Sequence, residues 1–140
     1  MNTRVMEDRV AGRVRVESEG DIVIIRRAIR EAAREIGFGV TDLTRIVTAA
    51  SELTRNIYLY AGCGDVRWRA VRGLRSRGIE IVFEDQGPGI PDVNLALEDG
   101  FTTSRGLGLG LPGAKRLMDE MEIETEPGVG TTVTVRKWLR

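Results

Sequence analysis

From Asp85 to Gly110 the apolar periodicity that runs through the rest of the chain stops, and glycine and proline take over. A stretch of 26 residues without regular structure is long for a domain of 140 residues. Connections of that length, when ordered chain flanks them, are usually functional. The segments on either side read more simply. Arg13 to Ser18 alternates Val14 and Val16 with polar residues, as a short strand does. Ser18 or Asp21 can cap a helix in which Ile22, Ile25, Ile29, Ala33 and Ile36 recur at helical spacing, with Gly37 and Gly39 as its stop. Thr41 or Asp42 can cap a second helix, whose stripe is Leu43, Ile46, Val47, Ala50, Leu53, Ile57 and Ala61, ended by Gly62 and Gly64. Val66 to Leu74 and Ile79 to Glu84 read as strands joined by a turn at Ser76 to Gly78. After the irregular stretch, Pro112 suits the first turn of a third helix with Leu117, Met118 and Met121 on its core side. Glu122 to Glu126 and Thr131 to Trp138 are strand-like, with a turn at Gly128 to Gly130. The order β-α-α-β-β-loop-α-β-β predicts an α+β fold, a two-layer α/β sandwich with about three helices on one face of a mixed sheet.

Composition narrows the function. Basic and acidic residues balance at 21 each, which predicts no general attraction to nucleic acid or to an anionic membrane. The arginines at 67, 69, 72, 75 and 77 read as a solvated strand face, with a docking surface for an acidic partner as the sharper alternative. One cysteine, Cys63, allows no internal disulfide and fits the reducing cytoplasm. Absence of histidine removes the usual zinc sites and Ser-His or Cys-His catalysis. No apolar run is long enough to span a bilayer. Residues 1–12 are polar and lack the apolar middle of a signal peptide, so they are expected to form a flexible tail before a single domain over residues 13–140.

Three signals carry chemistry. Glu52 and Asn56 lie four residues apart on one helix face, roughly 120° from the centre of the apolar stripe, where they can border a pocket. An Asn amide oxygen suits Mg²⁺, and a nearby Glu can take a proton from an attacking hydroxyl; a surface polar pair is the plainer alternative. Asp85-Gln86-Gly87-Pro88-Gly89 closes an apolar strand. The ionised Asp85 can accept from an exocyclic amine, while Gly87 and Gly89 allow close approach to a flat base or simply make a tight turn. Gly106, Gly108 and Gly110 precede the third helix, where exposed amides favour phosphate, and Thr103, Ser104 and Arg105 stand beside them. The run Gly108 to Gly113 also satisfies a dinucleotide pattern, but no strand precedes it directly. No Walker lysine follows a glycine loop.

Taken in order, Glu-x-x-x-Asn on a helix, Asp-x-Gly-x-Gly after a strand, Gly-x-Gly-x-Gly before a helix and Gly130-Thr131 opening the last strand resemble the Bergerat-type ATP-binding fold of DNA gyrase, the Hsp90 chaperone, sensor histidine kinases and the MutL repair protein. The resemblance implies that Asn56 holds Mg²⁺, Asp85 reads adenine, Gly106, Gly108 and Gly110 form a lid over the phosphates, Thr131 supports the adenine site and Glu52 is the general base. Longer strings are more specific. ELTRNIYLYAG (52–62), EDQGPGIPD (84–92), EDGFTTS (98–104), GLPGAKRLMDE (110–120) and KWLR (137–140) resemble the stressosome switch kinases of the RsbT type, relatives of the anti-sigma kinases.

That resemblance implies a serine/threonine kinase that uses ATP and Mg²⁺ to phosphorylate STAS-domain proteins of a stress-sensing complex. Once released, it would bind and activate a PP2C-type phosphatase. Anti-sigma kinases form dimers, which adds a homodimer to the expected assemblies. Lacking histidine, the chain cannot phosphorylate a histidine of its own. Hydrolysis of ATP is chemically open to the same residues. The alternative from another class is an ATP-gated protein-binding module with little turnover.

Overall fold

The computed structural model describes residues 10–90 and 111–140. The elements form within about two residues of where their periodicity places them, except that the third helix ends at Leu117, and Met121, expected on its core side, lies in the strand Glu120–Glu126 instead. Strand β1 (Gly12–Val16) leads to helices α1 (Gly20–Ile36) and α2 (Val40–Asn56), and a five-residue π-helical turn (Ile57–Ala61) extends α2. Strands β2 (Gly64–Arg72) and β3 (Arg77–Asp85) follow, then α3 (Leu111–Leu117), β4 (Glu120–Glu126) and β5 (Gly130–Trp138). The β2–β3 turn comes two residues earlier than expected, closed by the Gly73 amide on the Ser76 carbonyl at 2.8 Å, so Leu74 sits fully exposed outside the strand.

The five strands form one sheet in the order β1-β2-β3-β5-β4. All four ladders are antiparallel, so the sheet is not mixed as the element order suggested. The cause is topological. Two helices between β1 and β2 return the chain to the end of the sheet where β1 stopped, and Gly64 pairs with Val16 there. Strand β4 does run parallel to β3, but β5 is inserted between them.

Inward positions along the strands carry the core: Val66, Trp68 and Ala70 on β2, Ile79, Ile81 and Phe83 on β3, Val133 and Val135 on β5. These pack in one cluster with Ile25, Ile29 and Ile36 of α1 and with Ile46, Ala50 and Leu53 of α2. Sequestering such side chains from water contributes roughly 25 cal/mol per Å² of apolar surface. Val10 is also buried in this cluster and Gly12 opens β1, so packed chain begins before Arg13 rather than at it.

Helix ends differ in detail from the expectation. Glu19 and Gly39 occupy the N-cap positions, and neither makes a side-chain cap. Asp21 instead accepts the amides of Glu17 and Ser18 at 2.8 and 2.9 Å, which holds its carboxyl below the ordinary value. Gly37 ends α1 at φ 122°, its amide donating to the carbonyls of Ala33 and Arg34.

Candidate functional site

The register places one row of residues at the same end of all five strands: Val16, Gly64, Asp85, Thr131 and Thr125. In β3 the inward series runs Ile79, Ile81, Phe83 and then Asp85, so the first polar inward residue stands where the core ends. In β5 the inward series begins with Thr131 before Val133 and Val135. A cleft opens at this end, between the sheet and the end of α2. Asn56, Asp85, Gly89 and Thr131 line it, against an apolar wall that includes Ile57, Tyr60, Phe83 and Leu111.

Local structure of α2 shapes that wall. After Asn56 the helix widens into the π turn, closed by the Gly62 amide on the Ile57 carbonyl at 2.9 Å. Such insertions into an α-helix occur often at functional sites. Here Asn56 and Tyr60, four residues apart, both face the cleft.

Asp85 is the electrostatic centre of the site. Burial raises its carboxyl above the ordinary aspartate value, and the neighbouring charge of Glu84 pushes the same way. Hydrogen bonds from the backbone of Gly87 and Thr131 oppose the rise; Gly87 N–H to Asp85 Oδ1 measures 2.8 Å. The result is a half-buried acceptor, fixed by two amides, with the cleft in front of it.

The other sequence-derived positions distribute as follows. Gly89 lines the cleft at φ 78°, and a side chain there would meet the Glu126 carbonyl. Gly87 does not line the cleft. A Cβ at Gly87 would stand 2.7 Å from Cβ of Ala61, so its missing side chain lets the turn pack on the end of the helix. Glu52, one turn before Asn56, is half-buried and outside the cleft lining, and its Oε1 accepts from Arg55 Nη1 at 2.9 Å. Thr103, Ser104, Arg105, Gly106, Gly108 and Gly110 lie outside the described residues. Of the clustered arginines, Arg67 and Arg69 pair with Glu84 and Glu80, in keeping with a solvated strand face, whereas Arg77 reaches to the helix layer and donates to the Ile36 carbonyl.

Two residues escaped the sequence reading. Tyr60 was detectable as the position one turn beyond Asn56. Thr125 was detectable as a polar residue at an inward position of β4, following Met121 and Ile123. Its hydroxyl accepts the Ile90 amide at 2.8 Å, donates to the Gly130 carbonyl at 3.2 Å and lies 3.0 Å from the Thr131 hydroxyl.

The donor set suits a nucleotide: an acceptor-only carboxylate and a hydroxyl at a half-buried polar corner, an aromatic side wall and a carboxamide at the mouth. Among the described residues no group of three His, Cys, Asp or Glu side chains is arranged to hold a metal ion. A divalent cation here would rest on Asn56 and on oxygens of the ligand itself, which is how Mg²⁺ usually binds beside phosphates. Among the described residues no helix is long and apolar enough to cross a membrane.

Comparison with known proteins agrees with this geometry. The family model for the histidine kinase-like ATPase domain matches residues 16–137. The serine/threonine-protein kinase RsbT of Bacillus subtilis (strain 168) is 54% identical over 127 residues, covering 91% of this chain and 96% of that protein. The anti-sigma F factor of Caldanaerobacter subterraneus subsp. tengcongensis is 30% identical over 118 residues, covering 81% of this chain and 82% of that one. Among solved structures, that of the RsbU and RsbW domains of Rv1364c from Mycobacterium tuberculosis superposes with a TM-score of 0.61 at 21% identity. The superposition covers 91% of this chain but 32% of that one, and it speaks to the fold alone.

Proposed function

The chain belongs to the histidine kinase-like ATPase domain family, and from that premise we propose how its cleft serves phosphotransfer to a partner protein. It is a protein serine/threonine kinase that uses ATP, with relatives among partner-switching regulators. The finer reading is that its acceptor is a serine or threonine of a STAS-domain protein in a bacterial stress-signalling complex in the cytoplasm. Released from that complex, the kinase would bind and activate a PP2C-type phosphatase. The observation that carries the nucleotide site is the half-buried Asp85 carboxylate beside Thr131 in the same cleft as Asn56.

In this reading bound ATP supplies the γ-phosphoryl group and Mg²⁺ screens its charge. Asp85 accepts a hydrogen bond from the exocyclic amine of the base, and Thr131 completes that contact. Asn56 holds the cation through its amide oxygen. Gly106, Gly108 and Gly110 offer backbone amides to the phosphates, with Thr103, Ser104 and Arg105 beside them. Glu52 accepts the proton of the incoming hydroxyl. Transfers of this kind depend mainly on positioning and charge stabilisation, so a helix that fixes Glu52 and Asn56 one turn apart is a suitable platform. The Arg55 contact must loosen or be shared for Glu52 to act, and that observation favours the second reading, an ATP-gated binding module with little turnover.

Intact-mass spectrometry of a STAS-domain partner incubated with the protein and Mg-ATP separates the two. A gain of one phosphate, lost with Glu52→Gln, is the expected result. ATP-dependent complex formation with no mass gain would overturn the catalytic reading in favour of the gated module.

A further inference from the structure

The end of the sheet remote from the cleft departs from the pattern of its own face. Along β5 the inward positions are buried, and the outward row reads Thr132, Thr134, Arg136 and then Trp138. A half-buried indole thus closes a row that is otherwise polar. Two glycines make room for it. A Cβ at Gly73 would stand 2.9 Å from Trp138 Cζ3, and one at Gly78 would stand 2.7 Å from Cε3, so the ring lies against the backbone of the β2–β3 hairpin. Its Nε1–H donates to Glu120, and its backbone amide donates to Asp119 at 2.8 Å.

Leu74 stands at the tip of the same hairpin. Turn positions are usually filled by residues with a conformational or polar role. Leu74 has neither and is fully exposed, so it adds nothing to the folded core. One exposed leucine alone needs no explanation. Here, however, Leu74, Trp138 and Leu139 line a single open groove together with Arg75 and Arg140. Tryptophan and arginine around an apolar floor are the side chains on which protein interfaces concentrate their affinity. The groove is also built in advance. Gly73 N–H closes the hairpin on the Ser76 carbonyl at 2.8 Å, and the Leu139 amide donates to the Arg77 carbonyl at 2.9 Å. Little ordering remains to be done on binding.

Charge indicates what fills it. Among the described residues two carboxylates line the groove, and both are matched. Asp119 pairs with Arg140 and lies 3.7 Å from the Lys137 ammonium, and Glu120 lies 3.2 Å from Arg136. Arg75 has no carboxylate partner among the described residues. The Arg140 side chain is 71% exposed, with donors to spare. The unmatched charge at the rim is therefore positive. Its complement is a carboxylate, which a guanidinium can hold through two parallel hydrogen bonds.

We propose that this pole is a docking surface for a partner protein, which brings an acidic segment whose apolar side chain packs between Leu74 and Trp138 while its carboxylates meet Arg75 and Arg140. Strand β5 runs from Thr131 in the cleft to Trp138 in the groove, so a partner held here leaves the nucleotide site open. So few anchors make the contact a transient one. Of the clustered arginines, Arg75 at the hairpin tip, and not those on the strand face, serves the acidic partner.

The test is a titration of the isotope-labelled full chain, followed by NMR at the amides of Leu74, Arg75 and Leu139 and at the Trp138 indole N–H. The probe is a synthetic peptide with one leucine flanked on both sides by glutamates; the control peptide has lysines in their place. The expected result is saturable shifts confined to the groove, the same with and without Mg-ATP, and none with the lysine peptide. Raising salt from about 50 to about 500 mM should weaken binding. Leu74→Ser and Arg75→Glu should each weaken it about tenfold, the loss of one anchor, with melting temperatures unchanged because both side chains are exposed. Absence of groove shifts at millimolar peptide, equal binding of the lysine peptide, or full binding by Arg75→Glu would overturn the proposal. Shifts at the same residues on raising the protein concentration alone would assign the groove to a second copy of the chain and overturn the acidic partner.

Discussion

Asp85 and Thr131 face each other across the β3–β5 ladder, and the backbone of Thr131 hydrogen-bonds the Asp85 carboxylate. The pair marks the boundary at which the inward faces of two strands change from core to site. The inward residues directly behind it are apolar: Phe83 and Ile81 on one strand, Val133 and Val135 on the other. A carboxylate at the end of such a series is desolvated from behind and open in front, the setting in which one polar group confers orientation on a bound ligand.

Asp85→Asn should therefore have opposite effects on affinity and on stability. Loss of the acceptor-only group is expected to weaken ATP binding about tenfold or more, measurable by calorimetry. In the free protein the sign reverses. Because burial raises the Asp85 carboxyl above its ordinary value of 3.8, the folded state binds this proton more readily than the unfolded chain. The stability it contributes is fully present below pH 3.8 and is lost as pH rises through the folded value. Asparagine carries no such dependence. The variant should melt above the wild type near neutral pH, with the gap closing on acidification; a lower melting temperature at pH 7 would contradict the desolvation argument.

Glu52 lies outside the cleft lining and is paired with Arg55 on the same helix. Its replacement by glutamine keeps the side-chain shape and removes the base. ATP affinity should stay within about twofold of wild type while phosphotransfer falls roughly 10²- to 10⁴-fold, the usual contribution of a general base. Parallel binding and single-turnover measurements check both halves. A loss confined to binding would move Glu52 from proton transfer to ligand contact.

The elements of the fold were legible because apolar spacing alone sets them: the buried faces of α1 and α2 are the stripes that begin at Ile22 and Leu43. Asn56, Asp85, Gly89 and Thr131 were legible as site residues because their types and order are unusual, and the structure brings these four to one cleft. The antiparallel sheet was not, since strand direction depends on whether an even or odd number of helices separates two neighbours and on where β5 inserts. The π turn leaves no periodic trace in five residues. Gly87 was read from its motif as allowing close approach to a base or making a tight turn, and the packing of that turn on Ala61 is visible only in three dimensions. Thr125 acts through a single hydroxyl whose partners come from two separate segments, the turn after β3 and the start of β5, and no local pattern encodes that.

Gly130 opens β5 at φ 153°, and a Cβ there would lie 2.2 Å from the Asp85 carbonyl oxygen. Overlap with backbone cannot be relieved by a rotamer change. Gly130→Ala is expected to destabilise the protein by about 2–4 kcal/mol, the range of a severe backbone or packing defect. It should also weaken ATP binding, because the strands carrying Asp85 and Thr131 would have to separate. Urea unfolding with and without nucleotide measures both. Wild-type stability would show that the β3–β5 ladder yields at this point.

At the far end of β5, Lys137 is inward-facing and only 4% exposed. Its ammonium donates to the Leu117 carbonyl at 2.8 Å and lies 3.7 and 3.8 Å from carboxylate oxygens of Asp119 and Asp42. Leu117 is the last residue of α3, and Leu111, the first, is part of the cleft wall. One buried cation thus ties down the helix that borders the site, from the end remote from the ligand. Lys137→Met preserves much of the volume but leaves the Leu117 carbonyl without its donor; Asp119 keeps Arg140 as a partner. The expected loss is about 1–3 kcal/mol, the cost of an unsatisfied buried acceptor. A tether that acts only on stability would leave nucleotide affinity unchanged once the variant is folded. A tether that also holds α3 against the cleft predicts weaker ATP binding at a temperature well below the melting transition. Because Lys137 touches no ligand-binding residue, such a loss would trace the effect through α3 itself, and hydrogen exchange at the amides of Ala114 to Met118 should quicken in the same variant.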